Sequence, residues 1–346
     1  MVKVRDAGGM KAHLLALPQQ CLLAHKKGLG LKLPRSYRQV DKLVLVGMGG
    51  SATAGDLLAG LAGEEGLAVI VHRDYNPPPF LDKRTLAIFS SYSGNTEETL
   101  SSFLASLKSP ARKLAITSGG RLGELAKHEN IPVFSIDYKA PPRAAVGYSF
   151  LGLVGALERL GLLQDKSAQV AEMVGVMEKM AGALGMERGN PALTLARRLA
   201  RRLVVVYGTG FLQGVARRWK NQLNENAKSW AFFDALPEAH HNSVVGYSFP
   251  AAVRAGSLVV LLSSPLLSPR HRLRLEITRE VLHRERVAYE EVIGEGKAVL
   301  SQMMGLLYLG DWVSYYLAGL HGVDPSPTPT IELLKERLAQ YPLGEA

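Results

Sequence analysis

A chain of 346 residues with 47% hydrophobic content can bury sizeable cores and is expected to form two domains of ordinary size. Its single cysteine, Cys21, excludes an intrachain disulfide and suits a reducing compartment; with no leader-like N-terminus and no run long enough to span a bilayer, the expected location is the cytoplasm. The formal charge of +10 is spread over short groups, RRLARR at 197–202 and RHRLRLEITRE from Arg270, spaced as solvated helix faces. No zinc-ligand spacing, helix-turn-helix pattern or aromatic-interleaved basic tract accompanies them, so neither nucleic acid nor membrane is an expected partner, although such a field would attract a small anionic substrate.

In chain order, residues 1–40 read as one or two helices that end in LKLPRSYRQ and pack outside the first sheet. From Leu43 to Asp137 strand and helix alternate: LVLVG, helix, LAVIVHR, TLAIFSS, helix, KLAITS, helix, VFSID. That alternation predicts a parallel sheet covered on both faces. From Gly147 to Arg202 the period turns helical, with a break at 189–191. A second alternation opens at Leu203 with LVVVYGT and continues through SLVVLLSS and RVAYEEVIG. The apolar run VLSQMMGLLYLGDWVSYYLAGL is expected to be core or subunit interface, with the Leu306–Leu320 part, bearing Trp312, Tyr315 and Tyr316, a candidate dimer surface. The two halves look like copies of about 150 residues, far longer than a solenoid repeat.

Two loops stand out. In AIFSSYSGNTEETL (87–100) a strand leads into hydroxylated residues around Gly94, and Asn95 with Glu98 has the spacing of a helix cap. Free amides at a helix start, together with hydroxyls of Ser91, Ser93 and Thr96, favour a phosphate. The Gly-Lys-Ser/Thr ending of a nucleotide loop is missing, so a phosphate monoester fits better than a nucleotide. In LVLVGMGGSATAGD (43–56) a strand gives way to Gly49, Gly50 and Ser51, where the backbone can approach a ligand closely; as a dinucleotide fingerprint its third glycine is misplaced. Read without context, these hydroxyls merely cap and turn. In the second half Pro265 and Pro269 stand where the first has its Gly-Asn-Thr turn, so one phosphate site per chain is expected.

Taken together, GMGGS and SYSGNTEET resemble the sugar isomerase (SIS) domain family, and NENAK and PEAHHNSVVG resemble the bifunctional phosphoglucose and phosphomannose isomerases within it. The resemblance spans roughly Val44 to Lys335. It implies an α/β fold of two SIS-type, flavodoxin-like domains, each a parallel sheet flanked by helices. These would be an N-terminal domain at 1–150 holding the phosphate loop, a helical region at 151–190 and a C-terminal domain at 191–346 with the catalytic residues. It implies phosphate binding by Gly50, Ser51, Ser91, Ser93 and Thr96. Aldose–ketose isomerisation needs a base, a ring-opening group and a cation near the enediolate. By resemblance these are Glu225 as base, His241 for ring opening from a neighbouring subunit, and Arg143 for the enediolate. Lys335 would assist ring opening, and Thr328 would leave room for the hydroxyl that separates mannose from glucose. Glu238 is taken as structural. No metal or other cofactor is expected, since adjacent His240 and His241 seldom ligate one ion well. SAT replaces the family's usual SGI or SGV after GMGG, which puts helix packing there in question.

The resulting expectation is a homodimeric isomerase of glucose 6-phosphate, and of mannose 6-phosphate, with fructose 6-phosphate. The rivals are an isomerase of the glucose and fructose phosphates alone, and a non-catalytic regulator that binds a sugar phosphate. A pure binder has no use for a base, which argues against the last.

Overall fold

The structure, a computed structural model, describes residues 2–186 and 188–341. The carboxylate of Asp6 takes the N–H groups of Met10 and Lys11 (2.6 and 2.9 Å) and so starts α1 (Met10–Leu29). The first sheet is built from β1 (Lys42–Gly47), α2 (Gly49–Ala62), β2 (Ala68–His72), β3 (Thr85–Ser90), α3 (Glu97–Ser106), β4 (Arg112–Thr117), α4 (Gly120–His128) and β5 (Val133–Ser135). All its strands are parallel, in the order β2-β1-β3-β4-β5. Alternate residues serve opposite faces: Val44, Val46, Ala87 and Phe89 pack with α3 and α4, while Leu43, Leu45, Leu86 and Ile88 face the larger core. With both faces covered, β3 is buried along its whole length and reads as an apolar run.

Three helices follow, α5 (Val146–Leu160), α6 (Ser167–Leu184) and α7 (Pro191–Leu199), the last capped by Asn190, which accepts from Leu193 N (3.1 Å). The second sheet contains β6 (Leu203–Thr209), α8 (Gln213–Glu225), β7 (Ala231–Leu236), α9 (Ala251–Gly256), β8 (Ser257–Ser263), α10 (Pro269–Arg284) and β9 (Ala288–Ile293), ordered β7-β6-β8-β9 and again parallel. Position for position this repeats the first four strands of the first sheet, as the duplication read in the sequence requires. The chain ends in α11 (Val299–His321) and α12 (Pro329–Leu338). No helix among the described residues is long and apolar enough to cross a membrane.

Three expectations change. AFFDAL, not anticipated as a strand, is β7, an edge strand whose Phe232 is exposed. Asn95 does not cap α3; Thr96 stands at that position, and the Asn95 side-chain Oδ1 instead accepts from Arg121 N (3.1 Å) at the start of α4. The aromatic part of α11 is no dimer surface: Trp312, Tyr315 and Tyr316 are buried in the chain's own core, where their rings pack on one another.

A single buried cluster runs from the first sheet through α2, α8 and α11 into the second. Within it α2 and α8 lie antiparallel at close range. A Cβ on Gly214 would come 2.6 Å from Asp56 O, and one on Gly60 2.7 Å from Phe211 O. The contact places the start of α2 beside the end of α8. Gly214→Ala should therefore force the helices apart and lower stability by about 1–3 kcal/mol. Gly175→Ala at an exposed position of α6, where nothing lies within 4 Å of the added carbon, should raise it by about 0.4–1 kcal/mol. Urea midpoints of the two variants test the contrast.

Candidate active site

At the carboxyl ends of β1 and β3, the point where strand order reverses, two helices begin side by side. Neither α2 nor α3 has a side chain capping its first N–H groups, which leaves both positive helix ends available to an anion. The loops are stitched together by hydroxyls. Tyr92 N donates to Ser51 Oγ (3.2 Å), Gly94 N to Ser91 Oγ (3.1 Å) and Asn95 N to Ser93 Oγ (3.2 Å), while the Ser91 and Thr96 hydroxyls share a bond of 2.8 Å. Gly94 turns this corner with φ of 72°, and a Cβ there would lie 1.9 Å from Gly119 O. The structure thus gathers Gly50, Ser51, Ser91, Ser93 and Thr96 at one place. Thr53, part of the SAT departure, is buried and returns its hydroxyl to Gly49 O (3.2 Å), so α2 accommodates it locally.

The backbone of Arg143 abuts this cradle, since a Cβ on Gly50 would stand 3.1 Å from Arg143 Cα. Arg143 lies in the 3-10 turn Pro142–Ala145 and its side chain is 4% exposed. Its Nε donates to Asn226 Oδ1 (2.6 Å), and one terminal nitrogen donates to Pro325 O (2.6 Å) and Ser326 O (2.7 Å). The other terminal nitrogen faces Glu225 Oε2 at 3.7 Å, beyond hydrogen-bond range. Burial above all lowers the Arg143 pKa; Arg218 acts in the same direction, against Glu225 and Asp311.

Glu225 is the last residue of α8 and its side chain is 24% exposed, so it stays accessible while it faces Arg143. Lys228 secures the turn after it. Its ammonium donates to Glu225 O (2.8 Å) and Asp324 O (2.8 Å), with longer contacts to Asn226 O and Pro325 O (both 3.3 Å). Burial and the neighbouring Arg143 lower its pKa. Behind these, Arg218 and Asp311 form a buried two-point ion pair (3.2 and 2.7 Å), and Arg218 also donates to Arg143 O (2.8 Å). Burial pushes the Asp311 carboxyl up, and Arg218 pulls it back. Asn226 completes the chain by donating to Ser314 Oγ (2.9 Å) on α11.

Other expected site residues stand apart. His241 ends the 3-10 turn Glu238–His241 with its side chain exposed, and no hydrogen bond or ion pair joins it to Arg143 or Glu225. The loop around it is pinned: His240 bonds Thr278 (2.8 Å) and Arg274 (2.9 Å), Ser243 bonds Asp234, and Tyr247 bonds Tyr207 (2.7 Å). Burial, then Arg274 and His241, lower the His240 pKa. Glu238 accepts from Asn242 Nδ2 (2.6 Å), a local brace. Thr328 begins α12 two residues beyond the Ser326 carbonyl that Arg143 holds. Lys335, farther along α12, is exposed and likewise unbonded to the cluster. Among the described residues, no group of three or more His, Cys, Asp and Glu side chains is placed to hold a metal ion.

Comparison with known proteins supplies the context. Residues 188–338 match the family model described as the bacterial phospho-glucose isomerase C-terminal SIS domain. The chain is 36% identical over 334 residues to a bifunctional phosphoglucose/phosphomannose isomerase of Caldicellulosiruptor bescii, covering 94% of this chain and 97% of that one. It is also 36% identical over 301 residues to the protein of the same name from Aquifex aeolicus, with 86% and 91% covered. Among solved structures, a hypothetical protein from Thermus thermophilus shares the fold with a TM-score of 0.75 at 19% identity, covering 98% of this chain and 92% of that one.

The Arg218–Asp311 pair under the cluster gives a direct test. Arg218→Met alone leaves Asp311 buried and uncompensated and should cost about 3–5 kcal/mol, whereas Arg218→Met with Asp311→Leu should recover most of that loss. Urea unfolding measures both. A double variant no more stable than the single would show that the pair is not a closed unit.

Proposed function

The chain belongs to the bifunctional phosphoglucose/phosphomannose isomerases, and from that premise we propose that it interconverts glucose 6-phosphate and mannose 6-phosphate with fructose 6-phosphate through a cis-enediolate. The observation that carries the proposal is the placement of an ionisable carboxylate, Glu225, beside a buried guanidinium and next to two uncapped helix starts lined with hydroxyls. A carboxylate there has work that a sugar-phosphate regulator would not need.

In this reading Ser51, Ser91, Ser93 and Thr96 hold the substrate phosphate, with Gly50 allowing its close approach. Glu225 removes the proton from the carbon next to the carbonyl and returns it to the neighbouring carbon. The Arg143 nitrogen that faces Glu225 is not taken by the carbonyls and Asn226 that bind the rest of the group, so it is the part left to meet the enediolate oxygens. Reprotonation on either face accounts for both aldoses, with Thr328 leaving room for the hydroxyl that differs. The steps are proton transfers and call for no metal. The enzyme is placed in the cytoplasm, and buried Cys21 suits a reducing compartment.

His241 and Lys335 complete the site in this proposal from a second subunit of a homodimer. Both are exposed, and the elements that carry them are apolar on the outside. Trp230 is 74% and Phe249 84% exposed on either side of the His241 loop in sequence, and α12 buries none of its residues while presenting Leu333, Leu334 and Leu338. Surfaces of that kind fit a permanent interface.

A coupled assay with glucose 6-phosphate and mannose 6-phosphate should show turnover of both, undiminished by EDTA. Glu225→Gln should lower kcat by roughly a hundredfold or more with KM little changed. Near-normal turnover in that variant would move the base to another carboxylate. For the shared site, inactive Glu225→Gln and His241→Ala proteins, mixed under conditions of subunit exchange, should recover activity in up to about half of the sites of mixed dimers. If proven exchange brings no recovery, each chain carries its own complete site.

A further inference from the structure

Away from the sugar-phosphate cleft lies a cavity of about 460 Å³, formed where the C-terminal ends of α1 and α5 meet the 3-10 turn Arg35–Gln39. Lys32, Arg35, Arg38 and Arg159 line it, and no carboxylate does. None of these four cations is ion-paired or hydrogen-bonded through its side chain to another described residue. Around acids of the first half of the chain, cations are paired: Arg73 and Arg217 share Asp56, Lys166 pairs with Glu65, and Lys42 and Arg84 both reach Asp41. The helix dipole accounts for one of the four, Arg159 in the last turn of α5. The other three follow the end of α1 and are exposed, so water and the helix end ease their mutual repulsion only in part and an anion between them would ease it further.

The volume falls in the range of small-molecule sites. Leu31 and Leu33 add an apolar wall. Planar guanidinium groups match phosphate oxygens two at a time. We propose that this cavity binds a small, multiply charged phosphate compound, its phosphates held by Arg35, Arg38 and Arg159 with Lys32, and any apolar part against Leu31 and Leu33. The site is distinct from the sugar-phosphate cleft. Arg143 lies in the turn before α5 and Arg159 in its last turn, so most of the 15-residue helix, about 22 Å long, separates them.

Inorganic tripolyphosphate, titrated calorimetrically into the full chain at low salt, is the probe. Binding should weaken as salt is added, because these cations are exposed. It should fall by roughly tenfold or more in Arg38→Gln/Arg159→Gln, and similarly in Lys32→Gln/Arg35→Gln. Arg38→Lys/Arg159→Lys should retain most of it, and Thr96→Val, which removes a hydroxyl from the other anion cradle, should leave it unchanged. All three cavity variants should keep wild-type unfolding midpoints within the error of the measurement. Failure of the wild type to bind, undiminished wild-type binding in both glutamine variants, or loss of binding in Thr96→Val with the glutamine variants unaffected would each overturn the proposal.

Discussion

The site depends on how a single buried cation is held. An arginine taken out of water costs several kcal/mol unless its donors are matched, and Arg143 is matched by one side-chain amide oxygen and two backbone carbonyls drawn from distant stretches of chain. Because Asn226 follows α8, Pro325 and Ser326 follow α11, and Arg143 precedes α5, the guanidinium fastens the two halves where the cleft lies. The group is thereby fixed in orientation as well as in charge. What remains is one nitrogen that faces Glu225 across 3.7 Å, an ion-pair distance too long for a hydrogen bond.

Both sheets have the strand order that creates a crevice at a topological switch point, yet the two crevices have diverged. In the first, Gly94 and a ring of hydroxyls keep the backbone low and polar. In the second, Leu267 is buried against Gly210, with His271 behind it, so side chains occupy the equivalent space. The second half contributes through the far end of its helix. Antiparallel packing of α2 on α8, made possible where Gly60 and Gly214 let backbones touch, brings the start of one helix and the end of the other to the same cleft. An anion is best received at the first kind of end, and Glu225 reaches the cleft from the second.

Much of this was legible in the sequence because it is local. Strand and helix alternate with clear periods, and GMGGS and SYSGNTEET each contain their own turn chemistry. AFFDAL escaped notice because it is short and Asp234 interrupts its apolar run. The Asn95 cap was misread for a related reason: capping spacing is a local rule, and here the side chain serves the neighbouring helix 26 residues on. The support of Arg143 was out of reach for a stronger reason. Asn226, Asp311, Ser314 and the 325–326 carbonyls lie more than 80 residues from Arg143, and nothing in their spacing announces that they converge. NENAK drew attention to its glutamate, while the following asparagine and the lysine do the holding.

That α11 could be read as either core or subunit surface follows from the same limit, since an aromatic helix looks alike whether its own chain or another covers it. The structure separates the cases. Trp312 is covered by its own chain, whereas α12 is exposed on every residue and still carries Leu333, Leu334 and Leu338. Apolar side chains left in water forfeit stabilisation that burial would return. Lys335 rides on that helix, and His241 on a loop whose neighbours in sequence include exposed Val245 and Phe249. The two proposed catalytic residues missing from the Arg143 cluster are therefore on the elements with most to gain from a second copy. In the proposed dimer, the contacts that stabilise assembly would also deliver the ring-opening groups, tying activity to association rather than to the folding of one chain.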